Sequence, residues 1–218
     1  MTNNIFSLLL ASIFSMFSSD NSNKISTSRP GVANPTSAVS HGMYQFEMGL
    51  NSDLNNNYSY PFLFRTGLTP YTEIQLSYNN SVSTGLLYGG INLIENIENS
   101  IIIMGTLSED NNELINTDVY LPFSISYKLP IWGQIAGSFP IDGDPNYSYA
   151  LAIGGNVNNK TNWFIESFGD LDTDNVGIDA GVSYLLSSNS QIDLSTGTLL
   201  NQSEIKFIEL GFSFRLPN

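Results

Sequence analysis

An alternation of apolar with polar or small residues, repeated in segment after segment, most constrains what this chain can fold into. In residues 147–155, for example, Tyr147, Tyr149 and Leu151 alternate with small side chains. A period of two predicts β-strands whose two faces meet different surroundings. Clusters of Asn, Asp, Ser, Gly and Pro separate the segments, of which there are about twelve. The sequence therefore predicts an all-β structure of about twelve antiparallel strands that begins at Met43.

Segment length and the polar face favour a membrane barrel over a soluble β-sandwich, which alternation alone also allows. The segments approach the ~9–11 residues that cross a bilayer at a tilt, whereas soluble strands average ~5–6. The polar face is rich in Gly, Ser, Ala and Gln and poor in Lys, which is typical of an enclosed lumen. We therefore expect a transmembrane antiparallel up-and-down β-barrel over residues 43–218, in the outer membrane of a Gram-negative bacterium.

Composition narrows the range of functions. The chain has 20 acidic and 7 basic residues and a formal net charge of −13, which disfavours nucleic acid as a partner. It has no cysteine, which excludes a disulfide scaffold, a thiolate metal site and a cysteine nucleophile. Its single histidine, His41, lies just before the first strand, so a Ser–His site would need the chain start to fold back onto a strand serine.

Two further patterns resemble ligand loops without completing them. Residues 170–175 look like the opening of a calcium loop, but Gly181 stands at the twelfth position, where a bidentate Glu is required. Residues 85–90 are rich in glycine but lie within a strand pattern, where glycine indicates curvature rather than a phosphate loop. We expect no catalytic residue, no metal site and no cofactor.

The N-terminus carries a targeting signal. Residues 5–17 form an apolar run that two serines follow, which predicts a cleaved signal peptide over residues 1–19, although residues 1–4 contain no Lys or Arg. A short buried helix is the alternative. Residues 20–42 are rich in Ser and contain Pro, and they predict an extended leader that lies in the periplasm or enters the lumen.

Acidic residues concentrate in alternate connections between the predicted strands. Counted from the first strand, the odd-numbered connections are 51–57, 80–83, 108–115, 140–146, 169–175 and 200–204. They hold Asp53, Glu109, Asp110, Glu113, Asp142, Asp144, Asp170, Asp172, Asp174 and Glu204. The even-numbered connections hold only Glu95, Glu98 and Lys160. Because odd connections lie at one end of an up-and-down barrel, the sequence predicts an acidic outer rim.

Charged residues at inward positions form the candidate site. Glu47, Arg65 and Glu73 occur on three consecutive strands, so an arginine between two carboxylates is expected in the lumen. Two interpretations stay open for this trio, a polar constriction that selects permeants and a structural network that holds the barrel shape. In the second half the residues predicted to face inward are Glu166, Asp179, Asp193, Glu209 and Arg215. Their excess of acid predicts a preference for cations or neutral solutes.

Several short motifs carry a family resemblance. They are Arg29-Pro30-Gly31, residues 42–49 (GMYQFEMG), residues 64–69 (FRTGLT) and residues 211–215 (GFSFR). Their succession resembles the outer-membrane transporter-like family of the MetA pathway of phenol degradation. The resemblance implies an outer-membrane barrel that moves small compounds, aromatic or apolar ones among them. The chain closes on Leu-Pro-Asn instead of an aromatic residue, so Phe212 and Phe214 are the residues that the barrel assembly machinery would read.

The leading hypothesis is therefore passive passage of a small-molecule permeant through a barrel embedded in outer-membrane lipid. Twelve strands lie between the ~8 that fill with side chains and the ~16–18 that leave an open channel, so we expect a narrow pore. Two alternatives stay open. The first is a structural or surface-interaction barrel without a conducting pore, and the second is a barrel enzyme.

Overall fold

The computed structural model describes residues 24–217 except 56, 109, 111, 112, 127 and 201–206. The predicted signal peptide at 1–19 and the first residues of the predicted leader, 20–23, lie outside this part of the chain. Within the described ranges, no helix is long and apolar enough to span a membrane.

The described chain from Met43 onward is built from β-strands. They are β1 Met43–Ser52, β2 Tyr58–Ser59, β3 Phe62–Gly67, β4 Thr72–Tyr78, β5 Val82–Ile94, β6 Ile97–Leu107, β7 Leu114–Ile125, β8 Ile131–Pro140, β9 Asn146–Asn156, β10 Thr161–Asp170, β11 Val176–Ser187, β12 Ser190–Leu199 and β13 Phe207–Pro217. Both β2 and β3 pair with β1, and the Pro61 carbonyl between them accepts a hydrogen bond of 2.9 Å from the Gly49 N–H. We therefore count β2 and β3 as one barrel strand interrupted at Pro61, which has no N–H to donate.

The twelve barrel strands pair antiparallel in chain order and close into a barrel. Closure runs through β1 and β13, which pair over ten positions from Met43–Pro217 to Ser52–Ile208. On the outside of this seam the Phe46 ring stacks on the Phe214 ring, with 5.0 Å between their centroids. The predicted fold class is confirmed, because closure leaves none of these strands as an open sheet edge.

The barrel is apolar outside and polar inside. Outward positions such as Leu151 and Leu210 are about half exposed, whereas inward Gln45 and Arg65 are almost fully buried. Exposed tyrosines occur near both ends of the strands: Tyr71, Tyr88 and Tyr184 near one end, and Tyr58, Tyr60, Tyr78 and Tyr147 near the other. An apolar belt between two aromatic girdles is the exterior of an outer-membrane barrel, as the sequence predicted.

Arginine in place of Leu151 tests the lipid belt. Leu151 lies at the middle of β9 and faces outward, so Leu151→Arg is expected to lower the free energy of unfolding in lipid vesicles by about 2–4 kcal/mol. Val157→Arg is the matched control, because Val157 lies in a turn beyond the strand and we expect a loss near zero there. Urea titration in phosphatidylcholine vesicles measures both, and equal losses would contradict a bilayer around β9.

The two ends of the barrel differ in their connections. At the loop end they are 53–57, 79–81, 108–113, 141–145, 171–175 and 200–206, and at the turn end 68–71, 95–96, 126–130, 157–160 and 188–189. Among the described residues, the exposed acids at the loop end are Asp110, Glu113, Asp142, Asp144, Asp172 and Asp174. The turn end has the exposed acid Glu95 and the exposed lysines Lys24, Lys128 and Lys160. Glu109 and Glu204 of the predicted acidic rim lie outside the described residues.

Some predicted strand limits are wrong. The strand expected at 118–129 is β7, which spans Leu114–Ile125 instead. Asn116 lay outside the expected strand, yet its amide donates to Asp118 and Ser138 on the polar inner face of the sheet. Glu98 was expected in a connection, and it lies instead in β6, where it accepts a hydrogen bond from Thr36. Because the lumen is polar, a polar residue does not end a strand here.

Candidate functional site

The described residues 24–42, which we call the leader, fold into the lumen. At the turn end the Ile25 N–H donates to the Ser188 carbonyl, and His41 forms a bridge with Gly67. Between these two points the leader reaches its deepest position at residues 29–33, where Gly31 has a φ of +104°. The leader therefore enters and leaves the lumen at the same end of the barrel.

Three inward glutamates bind the leader backbone. Glu47 accepts a hydrogen bond of 2.9 Å from the Ser28 N–H, and Glu73 accepts one of 2.5 Å from the Val39 N–H. Glu166 accepts two, from the N–H groups of Val32 at 2.5 Å and Ala33 at 3.0 Å. These contacts give hydrogen-bond partners to buried carboxylates and to leader N–H groups that do not pair in a strand.

Arg65 joins this network from β3. Its Nε lies 2.7 Å from Glu73 Oε1 and its Nη1 lies 3.2 Å from Glu47 Oε1, and all three side chains have zero exposure. The same guanidinium donates to the carbonyl of Ser26 at 3.1 Å and to that of Ser37 at 3.2 Å. Arg65 thus holds both the inbound and the outbound arm of the leader against the wall.

Arg29 occupies the deepest part of the leader, beside β1, β12 and β13. Its Nε lies 3.6 Å from Asp193 Oδ1, and its Nη2 lies 3.4 Å from Glu209 Oε2. Gly49 and Gly211, which pair across β1 and β13, face the guanidinium, and a Cβ atom on either would lie 2.6 Å from one of its nitrogens. Arg29 was noted in the sequence only within a motif, because nothing local indicates which carboxylates it meets.

The remaining predicted residues lie on the same inner surface. Arg215 donates to Asn189 Oδ1 near the turn end, at 2.9 and 3.1 Å. Asp179 is buried directly opposite Glu166 in the β10–β11 pairing. Among the described residues, no group of three or more acidic or histidine side chains is arranged to hold a metal ion. His41 lies exposed at the turn-end mouth.

Inward amide side chains are functional residues that the sequence interpretation missed. Gln134 accepts from Asn34 and donates from its Nε2 to the Val32 carbonyl at 3.2 Å. Gln45 donates to the Ser26 carbonyl, and Gln191 donates to the Arg29 carbonyl. A glutamine at an inward strand position was the available signal, since a buried amide needs a partner and here the leader provides it.

The leader divides the lumen into two cavities. The turn-end cavity has a volume of about 310 Å³ and is lined by Ile25, Trp132 and Asn162, among others. The loop-end cavity has a volume of about 270 Å³ and is lined by Asn51, Tyr78 and Glu209, among others. Arg29 and Asn34 line both cavities, so these two leader residues stand between them.

Comparison with known proteins supports the fold. No family model matches the chain, and no curated protein matches its sequence. Among solved structures, the KdgM porin is 12% identical with a TM-score of 0.61, covering 78% of this chain and 98% of its own. A second KdgM porin structure is a complex with disordered oligogalacturonate.

Two further solved structures share the architecture. The NanC porin is 12% identical with a TM-score of 0.58 and covers 79% of this chain and 100% of its own. The COG4313 outer membrane channel from Pseudomonas putida F1 is 11% identical with a TM-score of 0.57, covering 86% of this chain and 99% of its own. The chain thus has the fold of outer-membrane porin-type barrels, whereas no match confirms the resemblance to the MetA-pathway family.

Proposed function

We propose that this chain is an outer-membrane channel for small molecules and that its own leader closes the lumen. The observation that carries the proposal is the course of the leader, which enters and leaves at the turn end and separates two cavities. A segment of this shape can withdraw from the lumen without being threaded through the barrel. Its hydrogen bonds to the wall hold it in place, and on withdrawal hydrogen bonds to water offset a large part of their strength.

The lumen wall favours polar permeants, neutral or positively charged. Glu166, Asp179, Asp193 and Glu209 lie on one side of it. Such a wall repels an acidic oligosaccharide, so the oligogalacturonate of the KdgM complex is not the cargo we propose here. Aromatic or apolar cargo, which the family resemblance implied, has support only in the turn-end cavity, where Trp132, Trp163 and Phe164 are among the lining residues. The buried carboxylates of the wall favour a polar permeant instead.

A structural barrel without a conducting pore is the second candidate. It is favoured by Arg65, which is fully buried and bound to both arms of the leader. In this alternative the leader is a permanent filling of the barrel. Under either function, Phe212 and Phe214 on β13 stay the residues we propose for recognition by the assembly machinery.

A reversible cross-link between leader and wall distinguishes the two. The chain has no cysteine, so Asn34→Cys and Gln134→Cys introduce its only thiols, at side chains that are hydrogen-bonded at 3.0 Å. In planar bilayers we expect the double variant to show openings, a cleavable bis-maleimide to abolish them, and reduction of the linker to restore them. Each single-cysteine variant, treated identically, is the control.

Two outcomes contradict the proposal. The complete absence of openings before and after cross-linking would support the sealed structural barrel. Openings that persist after cross-linking, with gel mobility showing the link complete, would mean that the leader does not close the path.

A further inference from the structure

The surroundings of Arg29 have the shape and charge of a binding site for a planar cation. Gly49 and Gly211 lie opposite each other on β1 and β13, and both inner faces are bare backbone. The Arg29 guanidinium fills the space that a Cβ atom on Gly49 would need, and a Cβ atom on Gly211 would meet both the Asp193 carboxylate and the guanidinium. Asp193 lies beside Gly211 in the β12–β13 pairing, and Glu209 lies two residues before Gly211 on β13. The two glycines therefore leave a flat backbone surface, which we call the floor, and the two carboxylates lie at its edge.

The carboxylates on this side of the lumen exceed the cations. Asp193 and Glu209 pair with Arg29, and Asp179 and Glu166 lie on the adjoining strands β11 and β10. Among the described ion pairs, Arg29 is the one cation that touches them. The distances from Arg29, 3.6 and 3.4 Å, are longer than the ~2.7–2.9 Å of an optimal charge-assisted hydrogen bond.

Several buried acceptor atoms around this floor have no donor. Asp179 Oδ1, Ser195 Oγ and Asn51 Oδ1 make no hydrogen bond with any described residue. Asp179 is 3% exposed and Ser195 is 2% exposed. Glu209 on β13 pairs with Asn51 on β1 and with Ser195 on β12. The Arg29 Nε and both Asp193 oxygens also make no hydrogen bond, so Arg29 leaves acceptors of the site unsatisfied. A buried polar atom without a partner is costly, which indicates that the site can accept a donor group that lies closer to these oxygens.

We propose that the surface formed by Gly49, Gly211, Asp193 and Glu209 is a binding site for small organic cations that carry a guanidinium or amidinium group. Arg29 of the leader occupies this site when the lumen is closed. A planar guanidinium group can donate two parallel hydrogen bonds to one carboxylate, whereas an ammonium group acts as a point charge. The site therefore favours guanidinium over a simple ammonium. The inference rests on the proposed function, because a site inside the lumen meets cargo only if the barrel admits it.

The competition with Arg29 makes the proposal measurable. A ligand of the unaltered chain must displace Arg29. Its apparent affinity is therefore the intrinsic affinity of the vacant site multiplied by the fraction of barrels in which Arg29 has left the site. Arg29→Gln removes the competing charge and leaves the floor and the carboxylates in place. We therefore expect agmatine, which carries one guanidinium group, to bind the Arg29→Gln chain about tenfold or more tightly than the unaltered chain.

Isothermal titration calorimetry on the full chain refolded in detergent tests this. 4-Aminobutylurea is the matched control ligand, because it keeps the ammonium group and the chain length of agmatine and has an uncharged planar headgroup, and we expect it not to bind. In the Arg29→Gln background, Asp193→Asn with Glu209→Gln is expected to abolish agmatine binding. Gly49→Ala is expected to abolish it while every carboxylate stays in place, since its Cβ would occupy the space that the guanidinium needs. Asp144→Asn, an equal change of charge at the loop-end rim, is expected to change nothing.

Three results would overturn the proposal. They are equal agmatine affinity with and without the Asp193 and Glu209 carboxylates, equal affinity for 4-aminobutylurea and agmatine, and no gain in agmatine affinity from Arg29→Gln. Heat-modifiable gel mobility confirms folding of each variant, and the Gly49→Ala chain gives a second answer if the carboxylate variants do not fold. Binding in detergent can be measured whether or not the barrel conducts. A barrel that stays sealed in bilayers would therefore refute the proposed function, but it would not decide whether this site binds a guanidinium group.

Discussion

Replacing Arg65 with methionine is expected to lower the free energy of unfolding by about 3–5 kcal/mol and to release the leader from the wall. Methionine keeps an unbranched side chain but cannot donate a hydrogen bond. Glu47 and Glu73, both without exposure, would be left as buried acids with no cation. The carbonyls of Ser26 and Ser37 would lose their donor at the same time. Urea-induced unfolding in lipid vesicles, followed by gel mobility and tryptophan fluorescence, measures the loss.

The cause of this loss can be isolated with two further variants. Arg65→Met combined with Glu47→Gln and Glu73→Gln is expected to recover most of the stability, because the penalty comes from carboxylates left unpaired. Arg29→Met is the matched substitution at an arginine with longer ion pairs, and we expect a smaller loss there. A single Arg65→Met chain as stable as the unaltered one, or a triple variant less stable than the single, would contradict the buried-pair explanation.

The barrel and the direction of its side chains follow from local sequence. A period of two fixes which face of each strand points inward, so Glu47, Arg65 and Glu73 could be assigned to the lumen without knowing any contact. The polar face was interpreted correctly because a barrel in lipid reverses the usual placement of apolar residues. The sequence prediction failed at Asn116 and Glu98, which it left outside the strands although both line the lumen.

The path of the leader could not be predicted in the same way, since the sequence left open whether the leader lies in the periplasm or enters the lumen. The leader has no periodicity, and its contacts join residues far apart in the chain, such as Val32 with Glu166 and Arg29 with Asp193. Glycine was interpreted as a sign of curvature at residues 85–90, which agrees with the irregular pairing after Tyr88 and the φ of +74° at Gly90. Gly89 has a second role that no local pattern shows, because its missing side chain makes room for the Thr36 carbonyl.

Alanine at Gly67 and Gly89 is therefore expected to displace the leader while leaving the barrel closed. A Cβ atom at Gly67 would overlap the carbonyl oxygens of Val39 and Ser40, and one at Gly89 would overlap that of Thr36. These atoms belong to the leader backbone, which has no side-chain rotation with which to relieve the overlap. Neither glycine is among the residues with positive φ, so alanine fits the backbone conformation at both positions. The expected effect therefore comes only from the lack of space for the Cβ atoms.

A cysteine at Ala33 reports the displacement. Ala33 is 7% exposed in the closed lumen, so we expect slow modification by a water-soluble maleimide in the Ala33→Cys chain. Adding Gly67→Ala and Gly89→Ala is expected to raise the labelling rate about tenfold or more, because the rate follows the population of the open form. Gly105→Ala is the control, since its Cβ would meet only the end of the Leu114 side chain. An unchanged rate in a folded double-alanine chain would show that the leader docks without these close approaches.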